Sequence, residues 1–244
     1  MRRFKADLHI HTCLSPCADL DMTPRAVVEM SARRGLDLIA ICDHNSAENV
    51  AASMRAGLKR GIVVLPGMEI TSREEAHVLA IFDRDRAAIR MQETVYRHLD
   101  GANRPEIFGD QVVVNEFDEV EGFNDHLLIG ATRLGLREIV KEIHRLEGMA
   151  IASHVERPSF SVLGQLGFIP PDVSLDALEV ADPERIAAVI RDFPDTGRFS
   201  FVTSSDAHFP ADIGKRHTTF LLEAAELKEI RMALRGESGR KAAF

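Results

Sequence analysis

No apolar run in this chain approaches the length of a membrane span. The opening Met1-Arg2-Arg3-Phe4-Lys5-Ala6-Asp7 also lacks the apolar core of a signal peptide. A soluble, cytoplasmic protein with no membrane partner is expected. Cysteine is scarce: only Cys13, Cys17 and Cys42. An odd number without a secretory signal argues against a disulfide framework. Cys13 and Cys17 flank a turn and are read as packing residues, because hard metals in phosphoryl chemistry prefer oxygen and imidazole. Positive charge is in deficit as well. Thirty Lys and Arg face 38 Asp and Glu, for a formal net charge of −8. That is a poor footprint for duplex nucleic acid, which is not expected as a partner. A small phosphorylated substrate, or the end of a short oligonucleotide, needs no such footprint. There is no phosphate-cradling glycine loop, no H-E-x-x-H and no serine elbow, so nucleotide-switch, zincin and serine-hydrolase functions have no support.

What the chain does have is alternation. Phe4 to His11, Leu36 to Cys42, Ile62 to Leu65, His77 to Phe82, Met149 to Ser153, Ala177 to Val180, Phe199 to Thr203 and Thr218 to Leu222 read as short apolar strands. The third is expected to break at Pro66-Gly67 before Met68-Glu69-Ile70. Helices are expected between them. Thr23-Pro24 is a cap followed by a first-turn proline, Ser46 is read as the cap of a helix ending near Gly61, and Asp85 to Leu99 and Leu134 to Glu147 are amphipathic. Residues 100–133 break the pattern and are treated as an irregular excursion or flap within a single domain spanning 1–244. The tail from Gly239 is expected to be loose. Such alternation implies an α/β fold of parallel strands, and barrels of this kind carry function at the C-terminal ends of their strands.

The unusual residues fall at those ends. His9 and His11 close the first strand; two apart, they share one face. A lone pair of this kind is as readily two solvated histidines as half a metal site. His44 ends the second strand, Glu69 the third, and His154 a later one. Asp206 and His208 end another, again two apart. Asp19 lies in the loop after the first strand, and His77 begins the fourth, the least regular placement. Six histidines and three carboxylates at one mouth would carry large desolvation costs unless cations paired them. Nine ligands exceed one coordination sphere and suit two or three ions, with Glu69 a candidate bridge. His98, His126, His144 and His217 lie elsewhere and are read as solvated or structural; of these, His126 could fold back over the mouth with the excursion.

These residues resemble the PHP family, the polymerase and histidinol phosphatase metallohydrolases. The resemblance is carried by Asp7-Leu8-His9-Ile10-His11-Thr12, Asp19 ahead of Thr23-Pro24, Ile41-Cys42-Asp43-His44-Asn45, Gly67-Met68-Glu69-Ile70, His77, Ser153-His154-Val155-Glu156-Arg157, and Ser205-Asp206-Ala207-His208 with Ile213-Gly214. It implies a distorted TIM-like (β/α)7 barrel with a trinuclear site of manganese, iron or zinc. Val155 replaces a common proline, Ala18-Asp19-Leu20 a common Ser-Asp-Gly, and the excursion is short beside the inserted domain of some nucleotide-cleaving members.

The reaction expected is hydrolysis of a phosphate monoester of a small metabolite or nucleotide by a metal-bridged hydroxide, with metals about 3.5–4 Å apart. Arg157, where related members have an arginine, is a candidate phosphate fork. His208 is a candidate general acid. Lys215 and Arg216 are weaker candidates, better read as a solvated turn. Asp7 and Asp43 are expected to accept the outer N–H of ligand imidazoles. Asn45 is read as touching substrate or capping the next helix. An exonuclease acting on oligonucleotide ends and a metal-binding module without turnover are the competing readings.

Overall fold

Short strands and helices alternate through a computed structural model that describes every residue from Met1 to Phe244. The strands are β1 (Arg2–Ile10), β2 (Leu38–Ile41), β3 (Val63–Thr71), β4 (His77–Ile81), β5 (Val112–Val114), β6 (Val120–Phe123), β7 (Met149–Ala152), β8 (Ala177–Glu179), β9 (Phe201–Val202), β10 (Thr218–Leu222) and β11 (Lys241–Ala243). The helices are α1 (Pro24–Arg33), α2 (Val50–Arg60), α3 (Asp85–Tyr96), α4 (Pro105–Phe108), α5 (Leu136–Arg145), α6 (Val162–Leu166), α7 (Ile186–Asp192) and α8 (Leu227–Leu234). One sheet runs β11-β10-β1-β2-β3-β4-β7-β8-β9. A parallel bridge between Ile10 and Ala207, just past β9, nearly closes it into a barrel. Phe4, Ala6, Leu8, Leu38, Ala40, Cys42, Leu79 and Ile151 fill the interior, and Ile10, Ile39 and Ile41 face the surrounding helices.

Several expectations change on contact with this fold. The wall is not all parallel: β4 runs antiparallel to both β3 and β7. Its first residue, His77, therefore lies at the same end as the last residues of the parallel strands. The third strand does not break at Pro66-Gly67. Pro66 lies opposite Ile41 in the parallel ladder with β2, and from Gly67 onward β3 pairs with β4. The proline sits where the strand changes partner, and its carbonyl accepts the Phe82 N–H at 2.8 Å. Ser46 does not cap α2; the helix starts later, after Asn49, while the Ser46 hydroxyl bonds the Tyr96 hydroxyl at 2.7 Å. Thr23 does cap α1, accepting from Ala26 N–H at 3.3 Å, and Gly61 ends α2 in the left-handed conformation. The tail is an edge strand, β11, paired with β10.

β1 carries an irregularity that aims the site. Ala6 pairs with Leu38 and Asp7 with Ile39, but Ile10 pairs with Ile41, so β1 holds one extra residue there. Such a bulge re-aims side chains. It lets Leu8 stay in the interior while His9 and His11 both turn into the mouth.

Residues 100–133 contain α4 and the β5–β6 hairpin. Val112 and Val114 pack on Cys13, and Leu128 on Leu14 and Leu99, so the segment covers the loop after β1. Asn45 ties it down: its Nδ2 donates to the Leu128 and Gly130 carbonyls at 2.8 Å, and its Oδ1 accepts the Thr71 N–H at 3.1 Å. Asn45 is thus neither a substrate contact nor a cap.

Gly67 tests the strand switch. A Cβ there would stand 2.9 Å from the Ala80 carbonyl and 3.1 Å from both Cys42 Sγ and the Ile41 carbonyl. Gly67→Ala should destabilise the fold by about 1–3 kcal/mol, the range for overpacking. Urea denaturation reads this directly, and an unchanged midpoint would show that the neighbouring strands can part.

Candidate metal centre

Glu69, near the end of β3, is 1% exposed. Five imidazoles approach its carboxylate: His77 Nδ1 at 2.9 Å, His44 Nδ1 at 3.2 Å, His154 Nε2 at 3.3 Å, His9 Nε2 at 3.4 Å and His11 Nε2 at 3.6 Å. Asp206 is the second carboxylate. Its Oδ1 lies 3.2 Å from His11 Nε2 and 3.4 Å from His9 Nε2, and its Oδ2 accepts from Arg157 Nη1 at 2.7 Å. Three groups have donor atoms close enough to share an ion: His9-His11-Asp206, His11-His44-His208 and His44-Glu69-His77. Asp19 is held beside this set and not within it. Its N–H donates to the His208 carbonyl at 2.8 Å, and its Oδ1 accepts the Asp21 N–H at 2.8 Å.

The tautomers follow from the outer partners. His9 Nδ1 faces Glu179 Oε2 at 3.0 Å, and His208 Nδ1 faces the Asp206 carbonyl at 2.9 Å. Both partners only accept, so both Nδ1 atoms carry the proton and Nε2 keeps its lone pair. His11 Nδ1 faces Ser15 Oγ at 2.9 Å, and that hydroxyl donates to Asp43 Oδ1 at 2.7 Å. The chain His11–Ser15–Asp43 again leaves Nε2 free. His9 Nε2 and His11 Nε2 then stand 3.1 Å apart with two lone pairs between them. Neutral imidazoles so oriented repel unless a cation sits between them. The buried atoms His44 Nδ1, Glu69 Oε1, His77 Nδ1 and Asp206 Oδ1 have no hydrogen-bond partner, despite the short distances above. Divalent ions shared among these groups would satisfy them, so the donor set fits the implied metals.

Burial opposes charge on Glu69, yet His77 and His9 outweigh it and hold its carboxyl well below the usual range. Burial likewise opposes charge on Asp206, but His9 and His11 keep it well below its ordinary value. Against burial, Glu179, Asp206 and Glu69 hold His9 well above an ordinary imidazole. His11 is pushed well below by burial and by His208.

Sequence reasoning missed Glu179. It ends β8, is 1% exposed, and binds both His9 Nδ1 and the His154 N–H at 3.1 Å. The signal available was an acid closing the buried run Ala177-Leu178. Glu179, not Asp7, supports His9; Asp7 instead accepts the Ser205 N–H at 2.9 Å and the Gly214 N–H at 3.0 Å. Cys17 is not a packing residue. It is exposed at the mouth; partial burial of its thiol raises the pKa, but the neighbouring His208 and His44 bring it down to about 6. Cys13 and Cys42 are buried. His126 does not reach the mouth; its ring stacks on Tyr96 at 4.0 Å. His144 pairs with Asp176 at 2.9 Å, and Lys215 with Asp212 on the exposed turn. His44, Asn45, His154, Phe160 and Asp206 border the site, and four of them besides His44 hold positive φ, a concentration of strain typical of functional sites.

A barrel whose mouth gathers histidines and carboxylates in this way is built to hold divalent metal ions. The PHP domain family model matches residues 7–161, and a PHP-associated model matches residues 190–238. The chain belongs to the PHP family. A 3',5'-nucleoside bisphosphate phosphatase of Chromobacterium violaceum is 32% identical over 78 residues, covering 31% of this chain and 26% of that protein. The lesion-specific endonuclease PfuEndoQ of Pyrococcus furiosus shares the fold with a TM-score of 0.74 at 20% identity, over 99% of this chain. Endonuclease Q in complex with a 27-mer duplex substrate with an abasic lesion superposes with a TM-score of 0.73, at 20% identity and over 98% of this chain. This chain spans 58% of the length of each endonuclease chain. A fold relative that binds duplex stands in tension with the expectation of no duplex partner.

Protein purified without chelator should carry more than one equivalent of manganese, iron or zinc by elemental analysis. Asp206→Ala should lower that stoichiometry. A folded protein that takes up no metal from Mn²⁺ dialysis would sink the site.

Proposed function

We propose that the chain hydrolyses phosphate monoesters of small metabolites or nucleotides with two or three divalent ions, manganese, iron or zinc, at its barrel mouth. The observation that carries this reading is the cavity over the cluster. It measures about 190 Å³ and is lined by His44, Glu69, His77, His154, Arg157, Asp206 and His208, with Ile129, Ser159 and Phe160 at its rim. That is below the ~300–1,000 Å³ of pockets that enclose a whole small ligand. A terminal phosphate fits such a space.

The roles divide by position. His9, His11, His44, Glu69, His77, His154, Asp206 and His208 hold the ions, and Asp19 stands next to them. When bound, the ions supply Lewis acidity that polarises the ester and neutralises charge developing on its oxygens. Glu179 and the Ser15–Asp43 pair fix the His9 and His11 rings with Nε2 inward. Arg157 has a side chain 42% exposed, so its guanidinium is held by Asp206 yet free on one side to bind phosphate. His208 keeps its proton on Nδ1, bonded to a carbonyl. That fits a ligand better than a general acid.

A nuclease acting on oligonucleotide or lesion-bearing DNA is the second reading, favoured by the end-to-end likeness to endonuclease Q. The Mn²⁺-loaded protein should hydrolyse nucleoside phosphates and other monoesters faster than single strands, and single strands faster than abasic duplex. Preference for the abasic duplex would establish the nuclease reading instead. Arg157→Ala should raise KM for monoesters about tenfold, as expected for loss of a charge-assisted hydrogen bond, with less effect on kcat.

A further inference from the structure

Phe160 is at the mouth, and the ligand cluster does not require it. It lies in the loop after β7 and holds φ of +57°, a conformation that bulky side chains rarely adopt. The surrounding loop fixes it there. The Ser161 hydroxyl donates to the Arg157 carbonyl at 2.6 Å and accepts the Gly164 N–H at 2.9 Å. A Cβ on Gly164 would stand 2.6 Å from the Pro158 carbonyl, so this approach is closed to other residues. The Phe160 carbonyl accepts the His77 N–H at 3.0 Å, which ties the loop to β4. Strain of this kind persists only where neighbours impose it.

The ring is placed, not buried. One face stacks on His77, with centroids 5.0 Å apart and planes at 26°. The residue is nonetheless 46% exposed. A ring that served only to pack His77 would gain from burying its other face. Phe160 instead lines the cavity together with Ile129, which the excursion contributes at 38% exposure. The cavity has room for a phosphate and little more. The organic part of an ester must therefore cross the rim, and the apolar surface there is an aromatic face.

We propose that Phe160 is a stacking platform for a flat aromatic group on the substrate, so that the esters preferred here carry a nucleobase within one nucleotide of the phosphate removed. This rests on the phosphoesterase reading of the site. A free mononucleotide and the exposed terminal nucleotide of a strand present the same chemistry. Aromatic faces bind bases with little sequence preference, so the platform selects nucleotides as a class rather than one base.

The experiment compares adenosine monophosphate, a 5'-phosphorylated dinucleotide and glycerol phosphate as substrates of the Mn²⁺-loaded protein. The wild type should prefer the two nucleotides, and their ratio separates free from terminal nucleotides. Phe160→Ala should lower kcat/KM for the preferred nucleotide about tenfold more than for glycerol phosphate, within the range for base stacking on an aromatic side chain. Phe160→Tyr should restore the preference. The chain has no tryptophan, so Phe160→Trp adds a single indole whose emission a stacked adenine should quench. Glycerol phosphate should not quench it. Equal kcat/KM for nucleotide and glycerol phosphate in the wild type would overturn the proposal. So would an equal loss on both esters in Phe160→Ala, which marks support of His77 alone. Absence of hydrolysis of every ester would instead overturn the phosphoesterase reading, and an unquenched indole would then remove the platform as well.

Discussion

Everything at the barrel mouth answers to one buried carboxylate. Glu69 is 1% exposed and has five imidazoles within salt-bridge reach. Burying an ion without compensation costs several kcal/mol. In this chain the compensation is itself made of buried titratable groups, which need compensation in turn. Glu179 serves His9, and Asp43 serves His11 through Ser15. The arrangement is closed only when cations enter its centre, because the inward Nε2 atoms of His9, His11 and His208 keep lone pairs while their Nδ1 atoms already have partners. Structure and chemistry share a single requirement, positive charge at a fixed point.

The fold meets that requirement with two departures from a regular parallel barrel. The extra residue in β1 brings two consecutive odd-numbered histidines inward without surrendering Leu8 from the core. The reversal of β4 lets a strand deliver a side chain from its beginning instead of its end. Glu69 and His77 consequently come from one hairpin.

Much of this was legible beforehand, for identifiable reasons. Histidines and acids gathered at the ends of several apolar strands are costly unless paired, so His9, His11, His44, Glu69, His154, Asp206 and His208 stood out as a set, and the fold brings them together. Thr23-Pro24 and Gly61 marked helix ends through local backbone chemistry. Strand direction was not legible. The apolar pattern of β4 reads the same in either direction, and only pairing partners set it. Nor was Glu179, since one acid after two apolar residues looks like the end of any strand. Asp7 and Asn45 were singled out, but their partners, Ser205 and Gly214 for one and Leu128, Gly130 and Thr71 for the other, lie far along the chain. The hairpin within 100–133 was obscured because its outward face keeps Phe117, Val120 and Phe123 exposed, which blurs alternation.

The bond from Asp7 to Ser205 spans 198 residues, and that to Gly214 spans 207. These bonds, with the Ile10–Ala207 bridge, join the first strand to the segment following β9. The centre therefore lies on the seam where the two ends of the chain meet. His9 and His11 stand on one side of that seam, and Asp206 and His208 on the other. An ion shared between them would be a rivet as much as a reagent: it would tie the first strand to a segment some two hundred residues along the chain, adding to the Asp7 bonds. Metal binding would then stabilise the closed barrel as well as supply its chemistry.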